Sequence, residues 1–106
     1  MAADVFAALS NPVRRELLDQ IRLQPRPVKE LASSFQLKRP AISEHLKVLR
    51  DAGLVREEQR GRENYYYLLP EPLREVQGWL EPYQQFWRQR FEDLRAVLES
   101  EEGRPS

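Results

Sequence analysis

The feature that most constrains the fold is the run LKRPAISEHLKVLRDAGL at residues 37–54, which predicts one amphipathic helix. Pro40 stands near its start, where a missing backbone N–H costs least, and Gly53 stands just past its end. Three apolar residues recur at helical period, so we expect them on one buried face. They are Ile42, Leu46 and Leu49.

The opposite side of this helix is polar and has the size of a face that enters a DNA major groove. A shorter helix precedes it, and only residues 36–38 separate the two. Two helices joined by about three residues form the helix-turn-helix pattern. Many helix pairs bind no nucleic acid, so the pattern alone leaves other functions open. The polar face consists of Pro40, Ser43, Glu44 and Lys47, and the apolar residues of the upstream helix are Val28, Leu31, Ala32 and Phe35.

After Gly53 the period changes from helical to alternating, which predicts a β-hairpin. The two strands are expected at residues 55–59 and 64–68, with RGRE at residues 60–63 as the turn. Arg60 and Arg62 at such a tip suit a phosphate backbone or a minor groove. A solvated turn is the alternative, and the preceding helix-turn-helix favours the DNA interpretation.

Three segments together resemble the arsenical-repressor (ArsR/SmtB) family of transcription regulators. They are SNPVRRELLDQI, VKELASSFQLKRPAISEHLKVLRDAGLV and GRENYYYL, and the resemblance covers roughly residues 5–69. The tail GWLEPYQQFWRQRFEDL is similar to an autorepressor-like subgroup without metal-sensing cysteines. The resemblance implies a small dimeric repressor with a winged helix-turn-helix fold that binds a near-palindromic operator.

The same resemblance implies a set of DNA-binding residues. Family members often begin the recognition helix with a serine cap, whereas this chain has Lys38 and Arg39, which are poor N-caps and are free to face phosphate. The set on or beside that helix is Lys38, Arg39, Pro40, Ser43, Glu44, His45 and Lys47, and Arg60 and Arg62 lie on the wing.

The charge distribution agrees with one DNA-facing half. The chain is neutral overall, but residues 12–62 carry twelve Lys or Arg against seven Asp or Glu, and residues 63–106 carry five against nine. A basic half that contains the helix-turn-helix and the wing is what phosphate binding requires. The N-terminus MAADVF has no basic leader region and no apolar run reaches the ~18 residues of a membrane span, so we expect a cytoplasmic protein.

Helices flank this half of the chain on both sides. We expect a short apolar helix at residues 4–9, a helix capped by Asn11 and Pro12, and a long C-terminal helix to about Glu99 that Pro82 kinks or splits. The last helix has more apolar surface than so small a domain can cover, which favours a homodimer over a helix that folds back on its own core. The expected interface residues are Val5, Phe6, Leu9, Leu80, Tyr83, Trp87, Phe91 and Leu94.

The sequence contains few residues suited to catalysis or to metal sensing. The chain has no cysteine and one histidine, His45, which we interpret as a packing or hydrogen-bonding residue. Metal sensors of the resembled family carry a cysteine pair where this chain has Pro27 and Lys29, and no His follows residue 45. We therefore expect a non-enzyme with no cofactor and no metal.

The sequence predicts a mainly α fold with a small β-hairpin, in the order α-α-α-α-β-β-α. One domain is expected over residues 1–100, followed by a disordered tail at 101–106. Two further functions remain open. One is a winged-helix protein-interaction module without DNA binding. The other is a small-molecule sensor with a pocket between the wing and the last helix, lined by residues 65–67 and Trp79.

Overall fold

The computed structural model describes residues 4–102, with side chains to residue 100. It divides into two units, one that ends at Val76 and one that begins at Gln77. The fold class is confirmed: the chain is mainly helical with a small antiparallel sheet and a long last helix. The elements are α1 Val5–Ala8, α2 Pro12–Leu23, β1 Arg26–Pro27, α3 Val28–Ser33, α4 Arg39–Asp51, β2 Val55–Arg60, β3 Glu63–Leu68 and α5 Leu73–Glu102.

The caps that the sequence predicts for α2 and α4 are present. The Asn11 side chain accepts hydrogen bonds from the backbone N–H groups of Val13 and Arg14, at 2.8 and 3.2 Å. At the end of α4, Gly53 has a φ of +75°, which a residue with a side chain rarely adopts. Its N–H donates to the Arg50 carbonyl and that of Leu54 to the Leu49 carbonyl, which together form a Schellman motif.

The helix-turn-helix is formed by α3 and α4, but its turn is longer than predicted. We expected α3 to include Phe35 and the turn to be residues 36–38, whereas α3 ends at Ser33 and the turn is residues 34–38. The hydroxyl groups of Ser33 and Ser34 both donate to the Glu30 carbonyl, at 2.8 and 3.3 Å. These bonds compete with the helical backbone pattern and explain the early end.

The wing is an antiparallel hairpin of β2 and β3, and each strand extends one residue further into the tip than predicted. Val55 pairs with Leu68 and Arg60 with Glu63, which leaves Gly61 and Arg62 as a two-residue turn. Gly61 has a φ of +60°, which suits the first turn position of such a hairpin. The two-residue strand β1 was not predicted; it adds to the other edge of β3, so the sheet order is β1-β3-β2.

The core of the first unit is built from one face of each helix and the base of the wing. The predicted stripe of α4 is confirmed, because Ile42, Leu46 and Leu49 are fully buried. Each buried leucine or isoleucine contributes about 1.5–3 kcal/mol relative to its exposed state. The other buried core residues are Val5, Ala8, Leu17, Leu18, Ile21, Val28, Leu31, Leu54, Val55 and Tyr66.

The second unit is the part of α5 from Gln77 onward. Pro82 lies inside this helix and does not split it, although proline leaves the carbonyl of Gly78 without its usual helical donor. Of the segment expected as a disordered tail, Glu101 and Glu102 belong to α5, and residues 103–106 lie outside the described residues. In the part of the chain that the structure describes, no helix is long and apolar enough to cross a membrane.

Candidate nucleic-acid interface

The exposed face of α4 and the inner face of the wing open on one shared groove. From α4, the exposed residues Ser43, Glu44 and Lys47 line a cavity of about 340 Å³. Three of the residues predicted to bind DNA are therefore grouped on one side of the groove. The remaining lining residues are Arg39 and Arg50 of α4, Val28 of α3, and Glu57, Asn64 and Tyr66 of the wing.

A second, smaller cavity lies beside this groove and collects three cations from three elements. Lys29 of α3, Arg39 of α4 and Arg62 of the wing tip line a space of about 210 Å³, together with Glu63 and Asn64. Its other lining residues are Pro27 and Val28. Within residues 4–102, none of the three cations has a hydrogen bond or an ion pair. We name this set of Lys29, Arg39 and Arg62 the cation cradle.

The inner face of the wing is tied to α4 by a chain of polar contacts. The Tyr66 hydroxyl donates to Glu57 Oε2 at 2.5 Å, and Arg50 Nη1 of α4 lies 3.7 Å from Glu57 Oε1. Burial and then the bond to Glu57 raise the pKa of Tyr66 to about 12, so its phenol stays a hydrogen donor at neutral pH. These contacts hold the two walls of the groove together.

The outer face of the wing carries arginines stacked on tyrosines. The Arg56 guanidinium lies 4.1 Å from the centre of the Tyr67 ring, and that of Arg60 lies 5.0 Å from the centre of the Tyr65 ring. Arg56 also bonds Glu58 at 3.0 Å, and this bond lowers the pKa of the Glu58 carboxyl. Arg60 lines neither cavity, so the structure separates it from Arg62.

His45 faces α2 and lines neither cavity. Arg14 Nη1 lies 3.3 Å from His45 Nδ1, which must accept because a guanidinium only donates. Burial, followed by the charge of Arg14, lowers the pKa of His45. Arg14 also donates to the carbonyls of Ala7 and Ala8, at 3.0 and 2.6 Å, and so joins the end of α1 to α4. The structure therefore gives His45 a hydrogen-bonding partner on α2 and no place in either cavity.

The structure thus brings together five of the nine residues predicted to bind DNA. Lys38 and Pro40 are exposed at the start of α4, with Lys38 at the N-cap, and they line neither cavity. Sequence reasoning missed Lys29 and Asn64, because α3 and the start of β3 carried no polar pattern that pointed to DNA. The five grouped residues are Arg39, Ser43, Glu44, Lys47 and Arg62.

The residues predicted for dimerisation differ in exposure. Val5 is 3% exposed and packs inside the first unit, while Phe6 and Leu9 are half-buried against the same core. In the second unit Leu80 is half-buried and the other predicted residues are exposed, with Phe91 at 71%. The exposed large apolar residues of this unit are Trp79, Tyr83, Phe86, Trp87, Phe91, Leu94, Val97 and Leu98.

The described residues contain no cluster of possible metal ligands. Between residues 4 and 102, no three His, Cys, Asp or Glu side chains lie together in a way that would hold an ion. The family's cysteine positions are Pro27, which is buried, and Lys29, which belongs to the cation cradle.

A two-helix unit followed by an antiparallel hairpin, with the exposed face of the second helix beside that hairpin, defines a winged helix-turn-helix protein. Comparison with known proteins gives the family. The family model described as "Bacterial regulatory protein, arsR family" matches residues 11–57. The transcriptional repressor SdpR of Bacillus subtilis (strain 168) is 31% identical over 77 residues, which span 73% of this chain and 86% of that protein. The HTH-type transcriptional regulator Rv2034 of Mycobacterium tuberculosis (strain ATCC 25618 / H37Rv) is 33% identical over 96 residues, or 91% of this chain and 87% of that protein.

Solved structures agree with the sequence matches. A crystal structure of an ArsR family transcriptional regulator has a TM-score of 0.71 at 33% identity and covers 80% of this chain and 88% of that one. An ArsR-like transcriptional regulator from Rhodococcus sp. RHA1 has a TM-score of 0.66 at 32% identity, with 91% of each chain covered. The chain belongs to the ArsR family of bacterial regulatory proteins, as the sequence resemblance indicated, and it is a transcriptional regulator.

Proposed function

We propose that this chain is a homodimeric repressor that binds an inverted-repeat DNA operator. The observation that supports it best is the shared groove, in which the exposed side chains of α4 and the inner face of the wing meet. A recognition helix enters the major groove while an adjacent element holds the backbone, and this division needs both surfaces on one side of the protein.

Within the groove, Ser43, Glu44 and Lys47 are the proposed base contacts. Glu44 is able to accept from a cytosine amino group, and Lys47 is able to donate to the acceptors of guanine. All three side chains are exposed and belong to the α4 face opposite the buried stripe. Arg39 and Arg62 are the proposed phosphate contacts, because both line the neighbouring smaller cavity, which is rich in cations. Lys38 and Pro40 would lie at the edge of the same interface.

A second copy of the chain is the proposed cover for the apolar stripe of the second unit. The residues 80, 83, 87, 91, 94 and 98 recur at intervals of three and four, which is the period of a helix-packing seam. Eight large apolar side chains that are about half exposed or more on one helix form a patch of the kind that marks a partner surface. Phe6 of α1 and Leu9 at its C-cap are the proposed contributors from the first unit, whereas Val5 supports α1 from inside the core.

A two-fold dimer predicts the form of the operator. Two α4 helices related by the axis would meet major grooves about one turn apart, roughly 34 Å or a multiple of it. Half-site centres should therefore lie ~10 base pairs apart, or twice that. Selection of bound duplexes from a random library should return an inverted repeat with this spacing.

The test of function is a set of binding curves on the selected operator and on scrambled DNA at several salt concentrations. Lys47→Ala should cost on the order of 1–3 kcal/mol on the operator and relax specificity at its base. Arg74→Ala is the matched control, because Arg74 is exposed in the first turn of α5 and lines neither cavity of the interface. Failure of the wild-type protein to bind any duplex would instead favour a winged-helix protein-interaction module.

A response to a small molecule is a second candidate function, favoured by a separate cavity in the first unit. Four leucines and two arginines surround about 310 Å³, which is within the usual range of ligand sites. Its four leucines, together with two arginines against one aspartate, would suit a small amphipathic anion. A thermal-shift screen of such compounds tests this candidate, with Leu18→Ala as the variant that should lose the response. The lining residues are Leu9, Arg15, Leu18, Asp19, Arg22, Leu68 and Leu73.

The proposal assigns no catalytic role to the chain. His45 is the single histidine of the sequence, and its Nδ1 is engaged by Arg14. In a bacterial cell the proposed operator lies in the cytoplasm, which is therefore the proposed location of the protein.

A further inference from the structure

We propose that the cation cradle binds one phosphate of the DNA backbone, held jointly by Lys29, Arg39 and Arg62. This inference rests on the proposed function and adds a shared ligand and a contact from α3, Lys29, to it. The shape of the site points to one anion, since all three side chains border the same cavity of about 210 Å³. A water occupies about 30 Å³, so this space holds a phosphate group and part of its hydration shell.

The charges of the cradle are not explained by contacts inside the protein. Three cations face one space, and Glu63 is the acid that also lines it. Glu63 makes no ion pair with them in the part of the chain that the structure describes. The cavity therefore carries a formal excess of two positive charges, and like charges that face one space repel one another unless an anion lies between them.

Helix stability does not account for the position of Arg39 either. Arg39 is the first residue of α4, and the first turn of that helix contains no acid. A cation at a helix N-terminus opposes the helix dipole, so Arg39 is placed against the preference of its own helix. Lys38 at the N-cap makes no capping hydrogen bond. Both facts fit a site where an anion approaches the start of α4.

The chemistry of the side chains fits a phosphate oxyanion. Arginine presents parallel N–H donors that match two phosphate oxygens, and lysine adds a point charge with three donors. Pro27 and Val28 form an apolar wall of the cavity, and an apolar wall strengthens the attraction between the charges that face it. Because the donors come from α3, α4 and the wing, one bound phosphate would fix the two walls of the groove to the same point on the DNA.

The salt dependence of DNA binding distinguishes one shared phosphate from three separate ones. Each phosphate neutralised contributes about 0.9 to the slope of log K against log salt concentration. A dimer that holds one phosphate in each cradle should therefore lose about 1.8 from this slope in the triple variant Lys29→Ala/Arg39→Ala/Arg62→Ala. Three separate contacts in each protomer would remove about 5.4 instead.

Lys29→Ala alone supplies the second readout. It should weaken operator and scrambled DNA by the same factor, because a phosphate contact carries no sequence information. Arg74→Ala, which removes an exposed cation outside the cradle, should leave the slope unchanged. Circular dichroism of each variant checks that it is folded, which is expected since all the substituted side chains are exposed.

A slope that does not change in the triple variant, or one that falls by about 5, would contradict the proposal that the three side chains share one phosphate. If the wild-type protein binds no duplex, the proposed function fails and the cradle is judged by inorganic phosphate alone. Amide resonances of residues 28–30, 38–39 and 62–64 should then shift with added phosphate in the wild type and not in the triple variant. Absence of these shifts would remove the oxyanion site as well.

Discussion

The proposed dimer is tested most directly at Phe91, because this side chain has no role in a protomer core. It is 71% exposed in the second unit, so the protomer gains little from the aromatic ring. Replacing Phe91 by alanine keeps a good helix former at the position and removes apolar surface that a second copy would cover. The free energy of dimerisation should change far more than the stability of the protomer.

The exposure of the ring sets the size of the effect. Full burial of a phenylalanine side chain is worth about 1.5–3 kcal/mol, and the 71% that remains exposed corresponds to about 1–2 kcal/mol for each protomer. A two-fold interface contains the residue twice, so Phe91→Ala should cost about 2–4 kcal/mol per dimer. At about 1.4 kcal/mol for each factor of ten, the dimer Kd should rise roughly 30- to 700-fold.

Sedimentation equilibrium over a concentration series measures this Kd. Leu23→Ala is the matched control, since Leu23 is 66% exposed in α2 and outside the proposed interface. The control should keep the wild-type Kd, and both variants should keep the circular dichroism of the wild type. A Phe91→Ala dimer within twofold of wild type would refute the assignment of this stripe to the interface.

Three further outcomes are expected from other parts of the molecule. Tyr66→Phe should lower the free energy of unfolding by about 1–2 kcal/mol in urea titrations, because it removes the hydrogen bond to the half-exposed Glu57; an unchanged value would mean that this contact does not stabilise the wing. The pKa of His45 is lowered in the folded protein from its ordinary value of 6.5, so below about pH 6.5 the unfolded chain binds more protons than the folded chain. The free energy of unfolding should therefore fall as the pH drops below about 6.5. Because His45 is the single histidine, His45→Gln should flatten that decline between pH 5.5 and 7.5, and a decline of equal size in the variant would contradict the assignment. Zinc, cadmium or arsenite at low micromolar concentration should leave operator affinity unchanged, whereas stoichiometric metal binding in calorimetry with release of DNA would contradict this expectation.

Helical periodicity was enough to predict α4 and its buried face. The stripe of Ile42, Leu46 and Leu49 depends on spacing within one helix, and its end depends on Gly53, so both follow from local rules. The end of α3 was predicted too late. Ser33 and Ser34 look compatible with a short helix, and their bonds to the Glu30 carbonyl depend on side-chain rotamers that a sequence pattern does not specify.

Strand β1 could not be predicted from the sequence pattern. Two residues have no period, and Arg26 and Pro27 become a strand because β3 offers them an edge. This pairing places the start of α3 beside β3, next to the hairpin tip. Lys29 and Arg62 are 33 positions apart in the sequence, and the sheet is what makes them neighbours in one cavity. The polar face of one helix is therefore predictable, while a site that combines three elements is not.

The two wing arginines lead to the last prediction, because they look equivalent in the sequence and differ in the structure. Arg60 is inside β2, paired with Glu63, and its guanidinium lies over the Tyr65 and Tyr67 rings at 5.0 and 5.2 Å. Arg62 is in the turn and lines the cation cradle. An arginine stacked on aromatic rings already has a partner for its charge, so we expect Arg60→Ala to change the salt slope of DNA binding by less than half as much as Arg62→Ala. Binding curves for both variants at four salt concentrations on one duplex make the comparison. Equal changes in the salt slope would mean that the whole wing tip, and not the cation cradle, contacts the DNA backbone.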